Sequence, residues 1–322
     1  MTSVAIIIVH YNTDAETIDC LKSLKEIDRK GLSIGIIVID NGSKTPLEVP
    51  ERYLPEGAKI IRSDSNLGFT DGNNLGIQVA TRDLQPDYIV LLNNDTTVQP
   101  DFLQHLIATA QKNPKLGMAV PKIYFSPGRE YHAKSYKAAE RGNVLWFAGG
   151  SIDWANLDAF HRGVDELDRA HFDDRSDTAF ATGCCVLLPA PVIERVGMLD
   201  PSYFLYLEDV DWSMRVRQAG YDVELVPKSI VWHKNAGSSG GSGSTLHQYY
   251  QTRNRLFFFM KYARYHFFPQ NRRPKLKHYL ALSWFYLRTI KLGVQYLFSE
   301  EQALRRAAAD WILSRMGKQA VY

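Results

Sequence analysis

Residues 4–11 read VAIIIVHY and residues 34–41 read IGIIVIDN, and these two apolar runs decide the fold. Continuous β-branched runs of this kind are typical of parallel strands that helices cover on both faces. Between them lies DAETIDCLKSLKEI (14–27), which predicts a helix with Thr13 or Asp14 as its cap. A strand, a helix and a second strand in this order predict a doubly wound α/β sheet.

The alternation of strands and helices continues along the chain. Further strands are predicted at AKIIR (58–62), YIVLL (88–92), FATGCCVLLP (180–189), YDVELVP (221–227) and SIVWH (229–233). Further helices are predicted at 70–83, 101–113 and 190–197 and within 204–220. Residues 126–180 are irregular and polar, with a weak strand signal at 144–150, and GSSGGSGS (237–244) predicts a flexible loop. In such sheets, ligands bind beyond the carboxyl ends of the strands.

The composition limits the class of protein. The 322 residues are 45% hydrophobic and 23% charged, which suits one large α/β domain with an appendage or two modest domains. Three cysteines, of which Cys184 and Cys185 are adjacent, form no disulfide framework and favour a reducing compartment. The N-terminus has no basic region, and no run of about 18 apolar residues indicates a membrane span. We expect a cytoplasmic protein, either soluble or peripheral at the inner face of the cell membrane.

The net charge of +3 hides a strong polarity. Residues 249–322 carry 14 Lys/Arg against three Asp/Glu and hold 17 of the 38 aromatic residues, whereas the first 248 residues carry 24 Lys/Arg against 32 Asp/Glu. The chain is therefore predicted to divide into an α/β domain over 1–248 and a basic, aromatic helical extension over 249–322.

Two stretches of that extension mix aromatic residues, leucines and Lys/Arg: RLFFFMKYARYHFF (255–268) and LKHYLALSWFYLRTIKLGVQYLF (276–298). Such helices can lie in a membrane interface, where anionic lipids attract them. The alternatives are a helical cap that packs on the sheet and an interface of a homo-oligomer. Nucleic acid is not expected as a partner, because no known binding motif accompanies the charge.

Polar residues end the first two strands, where a nucleotide base lies on a sheet of this kind. They are His10, Tyr11 and Asn12 after the first strand and Asp40 after the second. The carboxylate of Asp40 can accept the imide N–H of uracil or thymine. The alternative is that Asp-Asn-Gly (40–42) is only a tight turn.

The segment SNLGFTDGNNLG (65–76) combines glycines with asparagines, among them Asn66, Gly68 and Asn73. Glycine lets the backbone approach a ligand closely, and the N-terminus of a helix favours phosphate. The segment matches no dinucleotide fingerprint and no P-loop. Its alternative interpretation is a capped helix start whose glycines serve packing.

Asp95 follows the apolar strand YIVLL directly after Asn93 and Asn94. A carboxylate in this position suits Mg²⁺ or Mn²⁺, which prefer oxygen ligands and keep water and substrate phosphates in their shell. Capping of the next helix is the alternative for Asp95. His233 ends the strand SIVWH and is a candidate second ligand, although a histidine there is more often structural.

Glu208, Asp209 and Asp211 open the helix of residues 204–220. Adjacent carboxylates raise each other's pKa, so Asp209 is a candidate general base with Glu208 beside it. An acidic first turn that the helix dipole stabilises is the alternative. Further on, Arg253 and Asn254 begin a helical stretch, and an arginine suits bidentate contact with phosphate. The alternative is that Arg253, in a basic tail, lies on a solvated face.

Six motifs in this order resemble glycosyltransferase family 2, and their spacing resembles its rhamnosyltransferase-like branch, which builds bacterial cell-surface glycans. The motifs are HYN (10–12), DNGS (40–43), NLGF (66–69), NND (93–95), EDVD (208–211) and RN (253–254), with His233 before the last. The resemblance covers roughly residues 3–260. It implies a Rossmann-like GT-A fold with a mostly parallel central sheet flanked by helices, followed by the helical extension.

The resemblance also implies an inverting transfer from a nucleoside-diphosphate sugar, a UDP- or dTDP-sugar such as dTDP-rhamnose, to a glycan or lipid-linked acceptor. By this analogy Asp40 contacts the base, Asp95 and His233 hold the metal, and Asp209 deprotonates the acceptor hydroxyl. His10, Tyr11, Asn12, Asn66, Gly68, Asn73, Asn94, Arg253 and Asn254 then belong to the donor site. In one respect the chain departs from the family, because Asn93 stands where the metal motif commonly has a first aspartate.

Two other functions compete with this interpretation. A sugar nucleotidyltransferase would also hold a metal and a nucleotide, but it normally has a glycine-rich basic loop after the first strand, and HYNTDAET (10–17) is not one. A non-catalytic scaffold that binds sugar nucleotides is the second, and the presence of Asp95, Asp209 and His233 speaks against it.

Overall fold

One mixed sheet carries the N-terminal two thirds of the chain in a computed structural model, which describes residues 1–174, 176–235, 243–268 and 273–320. The strands are β1 (Thr2–His10), β2 (Leu32–Asp40), β3 (Ala58–Arg62), β4 (Tyr88–Leu92), β5 (Thr96–Val98), β6 (Leu116–Phe125), β7 (Leu145–Phe147), β8 (Gly150–Asp153), β9 (Asp158–His161), β10 (Cys185–Pro189) and β11 (Asp222–His233). The helices are α1 (Asp14–Lys25), α2 (Gly68–Asp83), α3 (Phe102–Lys112), α4 (Ala190–Val196), α5 (Glu208–Gln218), α6 (Thr245–Phe267), α7 (Leu276–Leu297) and α8 (Gln302–Ile312).

The sheet has nine strands, in the order β3-β2-β1-β4-β10-β6-β11-β5 with β7 paired to β6, and β8 and β9 form a separate two-stranded sheet. Its first four strands are parallel, as the apolar runs predict, and β1 pairs with β2 in a register that places His10 beside Asp40. Ile6 and Ile7 on β1 are fully buried, because helices cover both faces of this part of the sheet. The other half of the sheet is mixed: β6 and β11 pair in parallel, whereas β10 runs antiparallel between β4 and β6 and β5 runs antiparallel to β11.

The sequence interpretation missed β6 and divided β11. All ten residues of β6 are buried although Pro121 lies among them, and a proline normally argues against a central strand. The two strands predicted at 221–227 and 229–233 form the single strand β11. The register between β6 and β11 shifts between Val226 and Ile230, so the ladder bulges where Pro121 and Pro227 lack an N–H to donate.

The chain divides into two compact units, which we call the sheet unit and the helical unit. The sheet unit comprises Met1–Ser151, Phe160–Asp200 and Glu208–Ser238, and the helical unit comprises Ile152–Ala159, Pro201–Leu207 and Ser239–Tyr322. The predicted boundary between residues 248 and 249 therefore falls inside α6. The predicted glycine–serine loop (237–244) lies largely outside the described residues.

Aromatic side chains form the core of the helical unit. Tyr249 and Tyr250 on α6 are fully buried and pack with Ala303 and Ala307 of α8. The hydroxyl of Tyr249 donates to Asp310 at 2.6 Å. Among the described residues, no helix combines the length and the apolar character that crossing a bilayer requires.

Candidate active site

Asp40 lies at the carboxyl end of β2 and is 1% exposed. Its carboxylate accepts hydrogen bonds from the backbone N–H groups of Ser43 and Leu47, both at 3.1 Å, and from the guanidinium of Arg62 at 2.5 Å. Burial opposes the charge of Asp40, but these hydrogen bonds outweigh it and hold the pKa of this carboxyl below its ordinary value. Contact between Asp40 and a nucleotide base stays a prediction. The donors just named already occupy most of the acceptor sites of this carboxylate.

Asn41, which the sequence interpretation did not select, joins β2 to the start of α2. Its amide donates to the carbonyl of Gly68 at 2.9 Å, and Asn66 accepts from the N–H of Gly68 at 2.7 Å. Gly42 has a φ of +71°, and a Cβ there would lie 2.4 Å from the carbonyl carbon of Ser65. A glycine is therefore required where these two chain segments meet, and together they shape the predicted donor edge.

The predicted donor residue Asn73 lies inside α2 and is 2% exposed. Its amide donates to the carbonyl of Phe69 at 2.9 Å. One turn further along α2, a Cβ on Gly76 would lie 2.3 Å from the Cγ2 atom of Ile7, so this glycine allows α2 to pack closely on β1. Donor contact by Asn73 remains a prediction, whereas Gly76 has a packing role.

The side chains of His10 and Asn94 meet through a third residue, Thr17 of α1. The Nδ1 atom of His10 lies 2.8 Å from the hydroxyl of Thr17. Asn94 donates to the hydroxyls of Thr17 at 2.8 Å and of Thr13 at 2.7 Å. The ends of β1 and β4 are therefore fixed to the first turn of α1. Asn12 is fixed to the end of β2 instead, where its side chain accepts from the N–H of Lys44 at 2.8 Å.

Asp95 and His233 lie 138 residues apart in the sequence, and the structure brings their side chains together. The Oδ1 atom of Asp95 is 3.0 Å from the Nε2 atom of His233, and the two side chains are 13% and 6% exposed. The carbonyl of Asp95 also accepts from the N–H of Lys234 at 2.9 Å. Within the described part of the chain, the Nδ1 atom of His233 is buried and has no hydrogen-bond partner.

The contact between Asp95 and His233 is a hydrogen bond, and its length is also close to the separation of two adjacent ligands of an octahedral metal ion. Ligands at the 2.0–2.1 Å typical of Mg²⁺ are about 3.0 Å apart along an edge of the octahedron. Among the described residues, no group of three or more His, Cys, Asp and Glu side chains is arranged to hold a metal. The pair therefore suits an ion that takes its remaining ligands from water and from the phosphates of a substrate.

Two aromatic residues form a wall behind His233. The ring of Trp146 packs edge-on against His233 at a centroid distance of 4.5 Å and against His161 at 4.4 Å. Burial lowers the pKa of His161 to about 4, and nearby His233 adds to this shift. His161 is therefore neutral at physiological pH. No signal in the sequence marks this wall, because Trp146 lies in a stretch that predicts only a weak strand.

Glu208 and Asp209 open α5, as predicted, but their environments differ. Asp209 accepts from the N–H of Gly183 at 2.9 Å and from the N–H of Val210 at 2.8 Å. Burial raises the pKa of Asp209, and these hydrogen bonds offset part of the shift. Glu208 is 5% exposed, and its Oε2 atom has no hydrogen-bond partner within the described residues. Burial, reinforced by the charge of Asp209, raises the pKa of Glu208 well above its ordinary value.

The contrast assigns the two carboxyls different protonation states. Two backbone N–H groups stabilise the anion of Asp209, whereas burial and the charge of Asp209 outweigh the backbone hydrogen bond to Glu208, so Glu208 holds its proton more tightly. Asp211, the third acid of the motif, is fully buried and pairs with Arg215 at 2.9 Å, which is a structural role. Asp209 is therefore the member of this cluster that can serve as a base.

Asp95 and Asp209 reach the same edge of the sheet through β10. The N–H of Asn93 donates to the carbonyl of Cys184 at 2.8 Å, so the start of β10 lies beside the end of β4. Gly183, the residue before Cys184, is the one that donates to Asp209. After burial, Asp95 and Asp209 are both among the charges that raise the pKa of the Cys184 thiol well above its ordinary value. A carboxylate–imidazole pair and a carboxylate base thus converge on one edge.

Arg253 and Asn254 lie within the helical unit and are fully buried. The guanidinium of Arg253 donates to the carbonyls of Gly317 at 2.7 Å, Ser202 at 3.2 Å and Tyr203 at 3.0 Å. A diphosphate contact by Arg253 stays a prediction, and it requires that a phosphate oxygen replace at least one of these carbonyls.

Asn254 forms hydrogen bonds with the segment that precedes α5. Its amide nitrogen donates to the carbonyls of Tyr203, Leu205 and Tyr206 at 2.8–3.0 Å. Phe204, Tyr206 and Leu207 have φ values of 65–69°, a region that costs a residue other than glycine on the order of 1 kcal/mol or more. The contacts of Asn254 therefore hold an unfavourable backbone conformation, and its predicted donor contact is untested.

Comparison with known proteins gives consistent matches. The model of the family described as "Glycosyl transferase family 2" matches residues 5–195. The chain is 26% identical over 217 residues to the N-acetylglucosaminyl-diphospho-decaprenol L-rhamnosyltransferase of Mycobacterium tuberculosis strain H37Rv, a match that covers 64% of this chain and 68% of that protein. It is 21% identical over 256 residues to the low-salt glycan biosynthesis hexosyltransferase Agl10 of Haloferax volcanii, with 80% and 75% covered.

Solved structures resemble the chain in fold. GalNAc-T7 with UDP, GalNAc and Mn²⁺ has a TM-score of 0.55 at 17% identity, over 94% of this chain and 58% of that one. The mannosyltransferase PcManGT of Pyrobaculum calidifontis, in complex with GDP-Man and Mn²⁺, has a TM-score of 0.52 at 14% identity, over 97% of this chain and 80% of that one. Sequence identities this low carry the likeness of fold and no more.

Proposed function

The chain belongs to glycosyl transferase family 2 and is a glycosyltransferase of GT-A fold, and from this premise we propose an inverting, metal-dependent transfer of a sugar from a nucleoside diphosphate to an acceptor hydroxyl. The observation that carries the proposal is the convergence of Asp209 with the Asp95–His233 pair on one edge of the sheet. An inverting displacement needs a base on the acceptor side and positive charge on the leaving-group side.

On the acceptor side, Asp209 takes the proton. The acceptor oxygen forms a bond to the anomeric carbon, the bond from that carbon to the diphosphate oxygen breaks, and the hydroxyl proton passes to the Asp209 carboxylate. Burial raises the pKa of Asp209, which makes this carboxylate a stronger base than an exposed one. Glu208 keeps its own proton and so adds no second charge beside the base.

On the leaving-group side, Asp95 and His233 are the residues that would hold Mg²⁺ or Mn²⁺. Such an ion neutralises the charge that develops on the departing diphosphate. The remaining predicted donor contacts are His10, Tyr11, Asn12, Asp40, Asn66, Gly68, Asn73, Asn94, Arg253 and Asn254. The N–H of Asn41, the residue after Asp40, donates to the carbonyl of His10. The strand ends that carry His10 and Asp40 therefore lie side by side.

The donor and acceptor are proposed from the relatives. The name of the M. tuberculosis relative describes a rhamnosyltransferase that acts on a sugar linked to a decaprenyl diphosphate. We carry over dTDP-rhamnose as the first donor to test and a lipid-linked glycan as the acceptor, in cell-surface polysaccharide synthesis. The proposed location is the inner face of the cell membrane: three cysteines suit a reducing compartment, and the basic, aromatic extension suits an anionic membrane surface.

Calorimetric titration tests the donor site. UDP, dTDP and GDP are each titrated into the protein with Mn²⁺ and again with EDTA, and dTDP-rhamnose turnover is measured on wild type. We expect metal-dependent binding of UDP or dTDP together with turnover. Binding without any turnover over a panel of UDP- and dTDP-sugars would favour the scaffold. Release of pyrophosphate from a nucleoside triphosphate mixed with a sugar 1-phosphate, in a separate assay, would favour a nucleotidyltransferase. If none of the three nucleotides binds, the proposed site is wrong.

A further inference from the structure

Helix α7 of the helical unit presents a long apolar face to solvent. Eight large apolar side chains on α7 and at its end are 41–83% exposed: Leu276, Tyr279, Leu280, Trp284, Leu287, Ile290, Val294 and Phe298. We call these eight residues the α7 face. Apart from the adjacent Tyr279 and Leu280, they are spaced by three or four residues, which places them on one side of the helix, along its whole length of about 33 Å.

The opposite side of α7 accounts for its packing within the unit. Leu282, Phe285, Thr289 and Gly293 are the buried residues of this helix, again spaced by three or four. A Cβ on Gly293 would lie 2.4 Å from the ring of Trp311, which shows how closely α7 approaches α8 there. The α7 face therefore takes no part in the packing that holds the helix in place.

The face is larger than a soluble surface normally carries. A fully exposed side chain of this size presents on the order of 150–200 Å², and the largest apolar patch on a typical monomer is about 300–600 Å². Eight such side chains, most of them at least half exposed, exceed that range. A continuous apolar patch of this size indicates a surface that another phase or molecule covers.

The charges beside the face point to what covers it. Lys277, Arg288 and Lys291 lie along one flank of the α7 face, and α7 contains no Asp or Glu. The guanidinium of Arg288 lies over the ring of Trp284, 5.5 Å from its centroid. Apolar residues with aromatic anchors and a basic flank are typical of a helix that lies in the interface of an anionic membrane.

We propose that the α7 face docks on the surface of a bilayer that contains anionic lipids, with the helix lying in the plane of the interface. Leucine, tryptophan and tyrosine side chains enter the boundary of the acyl chains, and the lysine and arginine groups meet the headgroups. A second copy of the chain fits this surface less well, because α7 supplies no acid to meet the basic flank. The purpose of docking, access to a lipid-linked acceptor, rests on the proposed function.

Vesicle cosedimentation tests the docking. Wild type is mixed with vesicles of phosphatidylcholine alone and with vesicles in which about a third is phosphatidylglycerol, an anionic lipid. An apolar variant carries Leu280→Gln, Trp284→Gln and Leu287→Gln, and a charge variant carries Lys277→Gln, Arg288→Gln and Lys291→Gln. The matched control, Ile60→Gln with Val164→Gln, changes exposed apolar residues of the sheet unit.

We expect wild type and control to bind anionic vesicles and to bind neutral vesicles less well. The apolar variant should lose tenfold or more in partition, because three large apolar side chains no longer enter the boundary of the acyl chains. The charge variant should lose its preference for anionic lipid and the salt dependence of binding. Binding of the apolar variant that equals that of the control would overturn the proposal, and so would an absence of wild-type binding to anionic vesicles.

Two further measurements separate this proposal from its alternatives. If light scattering shows that wild type is a dimer and the apolar variant a monomer, while vesicle binding is unchanged, the α7 face is an interface between copies and the proposal is wrong. Nucleotide titration of the same variants distinguishes the docking from the enzymatic function. If dTDP or UDP binds normally but vesicles do not bind, only the docking proposal is wrong. If vesicles bind but neither nucleotide does, only the proposed donor site is wrong.

Discussion

The substitution Glu208→Gln tests whether the folded protein keeps this carboxyl protonated. Glu208 is 95% buried, its Oε2 atom has no partner among the described residues, and the carboxylate of Asp209 is adjacent. Burial, with the charge of Asp209 adding to it, raises the pKa of Glu208 well above 4.5. Glutamine has nearly the shape of a protonated glutamic acid, so the variant should fold like wild type at acidic pH.

The magnitude follows from proton linkage. Above about pH 4.5 the unfolded chain releases the Glu208 proton, whereas the folded chain retains it up to its raised pKa. Wild-type stability therefore falls as pH rises through this window, by about 1.4 kcal/mol per pH unit. Glutamine does not titrate, so the variant avoids this loss. The variant should therefore gain stability relative to wild type as the pH rises above about 4.5, and the gain should stop at the raised pKa of Glu208.

Urea unfolding at a series of pH values measures this difference. Tryptophan fluorescence follows the transition, and Trp212, which is 1% exposed on α5, reports on the helix concerned. The matched control is Glu194→Gln, at an exposed glutamate of α4, which should keep the pH dependence of wild type. If Glu208→Gln and wild type have parallel pH dependences, Glu208 ionises in the folded protein as it does in the unfolded one. The assignment of Asp209 as the only charged member of the pair would then be refuted.

Three other substitutions test the site and its support. Asp209→Asn should lower the transfer rate by about 10²–10⁴-fold while calorimetry shows unchanged nucleotide binding, and comparable turnover would remove Asp209 as the base. Asp95→Ala should abolish the difference in nucleotide affinity between Mn²⁺ and EDTA, and a metal dependence equal to that of wild type would contradict the metal site. Asn254→Leu removes a group whose two hydrogens serve three carbonyls, so urea unfolding should show a loss of about 2–3 kcal/mol. A loss below about 1 kcal/mol would mean that Asn254 does not hold the segment before α5.

Where one physical effect dominates, the sequence predicts the structure well. The strands at 58–62 and 88–92 are β3 and β4 with the predicted bounds, and β1 and β2 differ from their predicted bounds by two residues or fewer. A run of apolar β-branched residues between turn signals leaves the chain little choice other than a buried strand.

The errors in the sheet come from effects that act between distant segments. β6 contains Pro121, and the local rule against proline in a central strand hides it. The rule fails because the partner strand β11 bulges at the same level, where Pro227 also lacks a donor. The sequence around either proline does not show this, because the bulge that accommodates both forms only when the two strands pair.

The candidate site shows the same limit. The acidic residues stand out, because carboxylates after apolar runs are unusual. Asn41 and Thr17 do not, since an asparagine in a turn and a threonine in a helix are ordinary until their partners are known. For Arg253 the composition misleads, because an arginine in a basic tail usually faces water. Here three carbonyls surround its guanidinium and it is fully buried.

The grip of Arg253 and Asn254 on residues 202–206 limits where the chain can be cut. Those residues belong to the helical unit, although they precede Glu208 of the sheet unit directly in the sequence. A protein truncated at residue 248 would keep the carbonyls of the segment and lose every one of these side-chain donors. The left-handed residues Phe204, Tyr206 and Leu207 would then be free to relax just before the predicted base. The helical unit is therefore not a detachable module, and point substitutions, rather than deletions, are the informative way to study it.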